Sequence, residues 1–394
     1  MARGYVVKRG QSSWRLCYDA GRNSSGRRET KYKTIKAKNM REAELALSKF
    51  INEIENGMIT DNNIKFEQFV ELWHKDYASE NLAPKTYSGY KGQLRLHILP
   101  AFGRLRLKDI NDKVIRQYYH SLKEPKARKD DRGGRLAEQT ILQSHQILSS
   151  ILEKAVKWGY IAINPAKKVE RPKVPRRQIK CYDENDLKKL IQACETEPLK
   201  YRLMIYIAIS TGLRRGELMG LCWNRVDLIN GTITIDKTSQ YIPGIGTITK
   251  SPKNEFSVRT VSLSASVIQL LKEHKKIQEQ DKENAGTLWN ESGRVFTMWN
   301  GTPTHPDTIS KWFAKFLKRR NLPHICFHSL RHTSASIAIA LGINMKTVSS
   351  RLGHANISTT MDIYSHPVKR ADKEAAEKID FVFQDFVNKN TEKD

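Results

Sequence analysis

Paired cysteines, long apolar runs and enough acidic residues to balance the basic ones are what this chain does without. Its five cysteines (Cys17, Cys181, Cys194, Cys222 and Cys326) are odd in number, widely scattered and never spaced CxxC. That argues against a disulfide framework and a cysteine-built zinc site, and it fits a reducing compartment. No run of about 18 apolar residues occurs, so no membrane partner is expected. The N-terminal MARGYVVKRG has no apolar stretch of the signal-peptide kind, and the expected location is cytoplasmic. Acidic residues are scarce: 42 Asp and Glu stand against 68 Lys and Arg, a formal charge of +26. Such an imbalance points to a polyanionic partner, nucleic acid first. Internal repeats and low-complexity tracts are missing too.

What is present suits a folded chain, with 39% hydrophobic residues and seven Trp. At 394 residues the chain exceeds what one core usually supports, so several domains are expected. The pattern predicts a multidomain α+β protein. Residues 4 to 38 alternate polar and apolar groups in three short runs broken by Gly, Asn and Ser, which predicts a three-stranded antiparallel sheet. MREAELALSKFINEIENG then repeats apolar residues at helical spacing, so one helix covers one sheet face and residues 1–58 form a small domain. Eleven basic and two acidic residues lie between Arg3 and Lys38, enough for the uncovered face to read a groove or clamp phosphates, or simply to be a solvated surface.

Residues 63–165 read as an all-helical domain of four helices, with the polar break KEPKARKDDRGGR between the third and fourth. Lys85, Tyr87 and Lys91 open the second helix, where they either meet a nucleic-acid backbone or form a solvated face. Residues 166–180 (AKKVERPKVPRRQIK) hold two prolines, seven basic residues and one acidic residue. This is an extended linker whose cations, Lys173, Arg176 and Arg177 among them, suit a phosphate chain. Residues 181–394 mix many helices with GTITI, YIPGIGTITK and SVRTVSL as strands of one small antiparallel sheet, and end in a helix, EAAEKIDFVFQDFV, suited to docking on a neighbour or on its own domain.

Four short stretches carry the chemistry by their order. TGLRRGEL sets Arg214 at the head of a helix after a Gly turn; HSLRH sets His328 and Arg331 three apart on one helix face; RLGH ends in His354; MDIY ends in Tyr364. Guanidinium groups hold phosphate in a bidentate fork and keep their charge, so Arg214 and Arg331 together can stabilise a pentacoordinate phosphorus. Tyr364 is the only tyrosine after Tyr241. A phenol has a pKa near 10, so attack on phosphorus needs a base or a positive field, and the arginines with His328 offer both. Metal ions are not expected, because these cations supply the neutralisation that Mg²⁺ gives many nucleases and no Asp/Glu set accompanies them. No cofactor is expected. A DNA-binding regulator without catalysis would share the basic charge, and GINMKTVSSRLGH has a helix-turn-helix look. That reading gives Arg214 and Arg331 no reason to meet.

TGLRRGEL, FHSLRHT, RLGHANISTT and MDIYSH resemble, in order and nearly in spacing, the motifs of the tyrosine recombinases, the phage and conjugative-transposon integrase family. The resemblance implies a site-specific recombinase that cuts and rejoins double-stranded DNA through a 3′-phosphotyrosyl intermediate, with Arg214, His328, Arg331, His354 and Tyr364 in the catalytic set. It also implies a lysine on the hairpin TITKSPKNEFSVRTVSL; Lys253 fits best and Lys250 stays open. The family's usual Pro on that strand is Ser262 here. By the same resemblance residues 1–58 are an arm-type DNA-binding domain, 63–165 a core-binding domain and 181–394 the catalytic domain. Four protomers would exchange strands through a Holliday junction, with a possible accessory DNA-bending or excision factor.

Overall fold

The computed structural model describes residues 4–22, 28–55, 63–128, 133–175, 180–250, 258–353 and 380. The chain divides into two compact units, residues 1–176 and 177–394.

In the first unit, β1 (Gly4–Lys8), β2 (Ser13–Arg22) and β3 (Arg28–Lys36) form an antiparallel sheet with β2 in the middle. Helix α1 (Met40–Glu55) packs on one face. The period-two alternation explains the packing: Trp14, Leu16 and Tyr18 of β2 are buried with Ala43 and Phe50 of α1. On the other face the cross-strand neighbours Tyr5, Cys17 and Tyr32 line up, and both tyrosines are exposed. The lysines of β3 split between the faces. Lys36 follows Tyr32 on the open side, whereas Lys33 reaches over the Phe50 ring of α1.

A helical layer follows. Helix α2 (Phe66–Trp73) runs through one wider π turn (His74–Ala78) into α3 (Ser79–Asn81). Helix α4 (Pro84–Gln93) likewise runs through a π turn (Leu94–Ile98) into α5 (Leu99–Phe102). Two longer helices complete it, α6 (Asp112–Lys123), which is N-capped by the Asn111 side chain accepting from Val114 N at 3.1 Å, and α7 (Glu138–Lys157). Phe66, Phe69, Val70 and Trp73 repeat at i, i+3, i+4, i+7, and all four are buried against Phe102, Ile115, Ile151 and Leu152. Pro165–Lys168 forms a 3₁₀ turn whose Ala166 belongs to this core, and residues 169–175 continue without regular structure.

The second unit is built around α9 (Leu199–Thr211), preceded by α8 (Glu184–Cys194). Leu203, Met204, Ile205, Ile207 and Ala208 of α9 are buried and its remaining residues are at least partly buried, so α9 is a central helix of this unit's core. The short α10 (Arg215–Gly220) leads to β4 (Val226–Asp227), β5 (Thr232–Ile235), β6 (Thr238–Ile242), β7 (Gly246–Lys250) and β8 (Arg259–Ser262). These strands do not make the one sheet expected. β4, β5 and β8 form an antiparallel sheet with β5 central, while β6 and β7 form a separate two-stranded hairpin. Gly244 and Gly246 adopt φ of 80° and 101° at its turn, which lets YIPGIGTITK fold back on itself. Helices α11 (Ala265–Ala285), α12 (Thr308–Arg319), α13 (Ser329–Ala340) and α14 (Met345–Leu352) close the unit. The final helix expected from EAAEKIDFVFQDFV lies outside the described residues, apart from Asp380.

Candidate active site

The site forms where four helix ends meet. Helix α9 terminates at Gly212, whose φ of 66° supplies the left-handed cap. Two residues later Arg214 is the N-cap of α10, with extended φ and ψ of −67° and 147°. Helix α10 lies directly on β6 because its glycines face the strand. A Cβ on Gly216 would come 2.7 Å from Thr238 Cγ2, and one on Gly220 would come 2.9 Å from the Lys237 carbonyl. TGLRRGELMG thus reads as a device that holds the Arg214 end of a helix against a hairpin.

Glu217 fixes the Arg214 side chain. It stands at the third position of α10 and accepts from the Arg214 backbone N–H at 3.0 Å and from Arg214 Nη1 at 2.8 Å. Arg259, the first residue of β8, donates Nη2 to the same carboxylate at 2.8 Å. Glu217 is only 5% exposed. Burial pushes its pKa up, but the Arg259 hydrogen bonds and charge, with the Arg214 backbone bond, outweigh burial and hold it below the usual carboxylate value. Composition and motif reading passed over this carboxylate. Its signal was the spacing Arg-x-x-Glu at a helix start.

Helix α13 brings His328 as its N-cap and Arg331 in its first turn. Arg331 is 2% exposed and donates Nη1 to the Gly212 carbonyl at 2.7 Å. On the far side, α14 ends at Gly353 with φ of 67°, and the Gly353 carbonyl accepts from Arg214 Nη2 at 3.1 Å. The two arginines therefore hold reciprocal positions: each donates to the capping glycine of a helix other than its own. A Cβ on Gly212 would collide with Leu352 Cδ2, so the α9 and α14 ends are in direct contact. Helix α14, part of the helix-turn-helix look-alike, is built into this junction.

Arg214, Arg215, Gly216, Ser310, His324 and His328 line a cavity of about 500 Å³. Arg215 is turned to its wall by Asp307 at 2.7 Å and Ser310 at 3.0 Å. The His328 pKa is lowered from 6.5, first by lost hydration and then by the charges of Arg331, Arg214 and Arg215; Glu217 acts the other way. A neutral imidazole at neutral pH follows, and a neutral imidazole can accept a proton. Neighbouring His332, whose ring meets His328 edge to face at 5.2 Å, is pushed down to about 4 by burial and then by His328 and Arg331.

Of the other residues singled out in the sequence, Lys250 ends β7 opposite Thr238. Lys253, His354 and Tyr364 lie outside the described residues, as do Arg176 and Arg177. Gly353 directly precedes His354, and Arg259 follows the segment that carries Lys253. In the first unit, Lys91 Nζ sits 4.4 Å from the Tyr87 ring centroid, and Tyr87 packs edge-on against His74 at 5.4 Å. Tyr87 is thereby partly drawn into the helical core. Lys85 opens α4, and Lys173 is exposed. Among the described residues no group of three or more His, Cys, Asp or Glu is arranged to hold a metal, and no helix is long and apolar enough to cross a membrane.

The sequence matches the phage integrase family over residues 180–370 and the phage integrase N-terminal SAM-like domain over residues 65–123. A XerC-like tyrosine recombinase of Caldanaerobacter subterraneus subsp. tengcongensis is 30% identical over 96% of this chain and 98% of its own. The ICEBs1 integrase of Bacillus subtilis is 28% identical over 75% of this chain and 78% of its own. The fold is similar to that of the Tn1549 transposon integrase solved with a circular intermediate DNA, at a TM-score of 0.63 and 20% identity over 78% of this chain and 98% of that one. It is also similar to a lambda integrase tetramer bound to a Holliday junction, at a TM-score of 0.55 and 19% identity over 92% and 95%. The chain belongs to the phage integrase family: it is a tyrosine-type site-specific DNA recombinase of the kind that mobile elements encode.

Proposed function

We propose that Tyr364 is the nucleophile and that Arg214, Arg331, His328, His354 and Lys253 serve the phosphate it attacks. The observation that carries this reading is that Arg214 and His328, more than a hundred residues apart in sequence, line one cavity where four helix ends meet, with the charge of Arg331 acting on His328 beside it. In the first step Tyr364 Oη forms a bond to phosphorus as the bond to the 5′ oxygen breaks. Neutral His328 takes the phenolic proton, and Lys253 delivers one to the leaving 5′ oxygen. Arg214 and Arg331 bind the non-bridging oxygens, where negative charge grows in the pentacoordinate state. His354 donates to one of the same oxygens. In the second step a 5′-hydroxyl of another strand attacks the phosphotyrosine, Tyr364 leaves and regains its proton, and the number of phosphodiesters is unchanged. No ATP is needed.

Recombining two duplexes requires four such cuts, so the working assembly is a homotetramer on double-stranded DNA passing through a Holliday junction. Residues 1–58 bind arm sites through the open sheet face that carries Tyr5, Tyr32 and Lys36. Residues 63–165 bind core sites with Lys85, Tyr87 and Lys91 toward the backbone, and 166–180 track phosphates with Lys173, Arg176 and Arg177. An accessory DNA-bending or excision factor fits the same scheme.

The test is incubation with a nicked suicide duplex containing the junction of the encoding element, followed by a denaturing gel. A covalent protein–DNA band that vanishes in Tyr364→Phe is expected. A band that persists in that variant, or no band with any bound duplex, would overturn the reading.

A further inference from the structure

Arg259 does more than neutralise Glu217. Its guanidinium makes three sets of contacts at once. Nη2 and Nη1 reach the two Glu217 oxygens at 2.8 and 3.4 Å, Nε donates to the Arg351 carbonyl at 2.7 Å, and the group abuts Gly353, where a Cβ would come 2.8 Å from Nη1 and 3.0 Å from Cζ. Its side chain is 7% exposed, so these bonds form away from bulk water, where they are strong and direction-bound. The contacts close a ring. Arg259 holds Glu217, Glu217 holds both the backbone and the Nη1 of Arg214, Arg214 Nη2 holds the Gly353 carbonyl, and two residues back along the chain Arg351 returns to Arg259.

The ring joins three chain segments, and its ends are informative. Arg259 opens β8, just beyond the stretch that carries Lys253, and Gly353 is the residue before His354. A lysine in the same place could satisfy the carboxylate or the carbonyl but not both, because a single ammonium lacks the planar fork of a guanidinium. Gly353 is required for the same reason, since any side chain there would displace the guanidinium.

We propose that Arg259 is a positioning residue for strand cleavage: by clamping Glu217 to the end of α14 it sets Arg214 in place relative to the α14 end and the start of β8. This rests on the recombinase reading above, and Arg259 itself touches no reacting atom.

The experiment compares Arg259→Met and Arg259→Lys with the full-length wild-type chain on the same suicide duplex. It measures the single-turnover rate of covalent complex formation at saturating DNA, the DNA Kd and the melting curve. Wild type must first form the complex; if it does not, the recombinase reading fails before Arg259 is tested. With that control positive, Arg259→Met loses about a hundredfold in rate, the size expected when a transition-state donor is misplaced, while Kd stays within about threefold. Its rate also gains an acid limb at higher pH than wild type, because Glu217, now facing Arg214 and His328 without Arg259, protonates more readily. Arg259→Lys recovers part of the rate. In the pair Arg259→Met with Glu217→Gln, losses that fail to multiply show that the two act as one unit. A wild-type rate in Arg259→Met, losses that multiply in the pair, or a loss confined to Kd or melting would each overturn the inference. Should Arg259→Met not fold, Arg259→Lys decides alone: a wild-type rate there removes the need for the double contact.

Discussion

The two units use positive charge in opposite ways. In the helical layer of the first unit, cations stand at the surface and are tied one at a time: Arg116 to Asp112, Lys167 to Glu153 at 2.8 Å, Lys154 over the Tyr77 ring and Lys91 over Tyr87. Such exposed pairs contribute roughly 0–1 kcal/mol each and can be exchanged without disturbing their neighbours. In the second unit, Arg331, Arg214 and Arg259 are held by backbone carbonyls at helix ends, and Arg214 and Arg259 share one buried carboxylate. Their positions depend on one another. The first arrangement suits a surface that holds a polyanion in many equivalent ways, the second a site that must place charge before the reaction starts.

The comparison breaks most visibly at Arg331. Arg331→Ala orphans the Gly212 carbonyl and opens the junction of α9 and α13, so it is expected to cost about 1–3 kcal/mol of stability and at least a hundredfold in cleavage rate. Urea denaturation and the suicide-duplex assay measure the two. Arg331→Lys keeps the charge and should recover stability more than rate. A lysine variant that cleaves like wild type would show that charge alone, and not guanidinium geometry, is needed.

Glycines give the next largest contrast. Gly212→Ala meets both a positive φ and the Leu352 side chain, and should lose about 1–3 kcal/mol together with cleavage, since the α14 end is pushed off Arg214. Gly89→Ala, in α4 of the first unit, meets nothing within 4 Å and should gain roughly 0.5–1 kcal/mol. Equal effects at the two positions, read from urea midpoints, would contradict the close packing at the second unit's helix ends.

Much of this was legible because the motifs are local. TGLRRGEL announces a glycine cap followed by a helix start, and the i, i+3 spacing of His328 and Arg331 is a property of any helix. The three-strand pattern over residues 4–38 and the helical character of residues 63–165 are equally plain. What the sequence concealed is tertiary. Nothing in RLGH says that the Gly353 carbonyl is a hydrogen-bond acceptor for a residue 139 positions earlier. The arginine of SVRTVSL reads as an ordinary strand cation until β8 is laid beside α10. YIPGIGTITK pairs with itself rather than with the sheet because alternation marks a strand but not its partner, and two glycines at the turn fold it back.

Acid should act through the histidines whose pKa is lowered in both units, His74 and His145 in the first and His328 and His332 in the second. His332 stays neutral in the fold down to about 4, while the unfolded chain protonates near 6.5, so the unfolded state binds more protons between these values and stability falls as pH drops through that window. His328 contributes with the same sign. For catalysis, Arg215 is one of the charges that keep His328 neutral. Arg215→Gln should therefore raise the His328 pKa toward 6.5 and move the acid limb of the cleavage rate to higher pH. An unchanged limb would mean that His328 does not take the proton in the rate-limiting step.

The smallest expected effect lies in the first unit. Lys91 rests over the Tyr87 ring on the exposed side of α4, and a cation in that position can neutralise one phosphate at a time. Lys91→Ala should weaken DNA binding several-fold and lower the slope of log K against log salt by about 1, in equal measure for cognate and unrelated duplexes. The loss belongs to affinity and not to the rate within the saturated complex, because Lys91 is one of many exchangeable contacts. If the variant instead discriminated between cognate and unrelated duplexes, or slowed cleavage at saturation, the exposed cations would be acting as a fixed constellation like the buried ones, and the distinction between the two units would no longer hold.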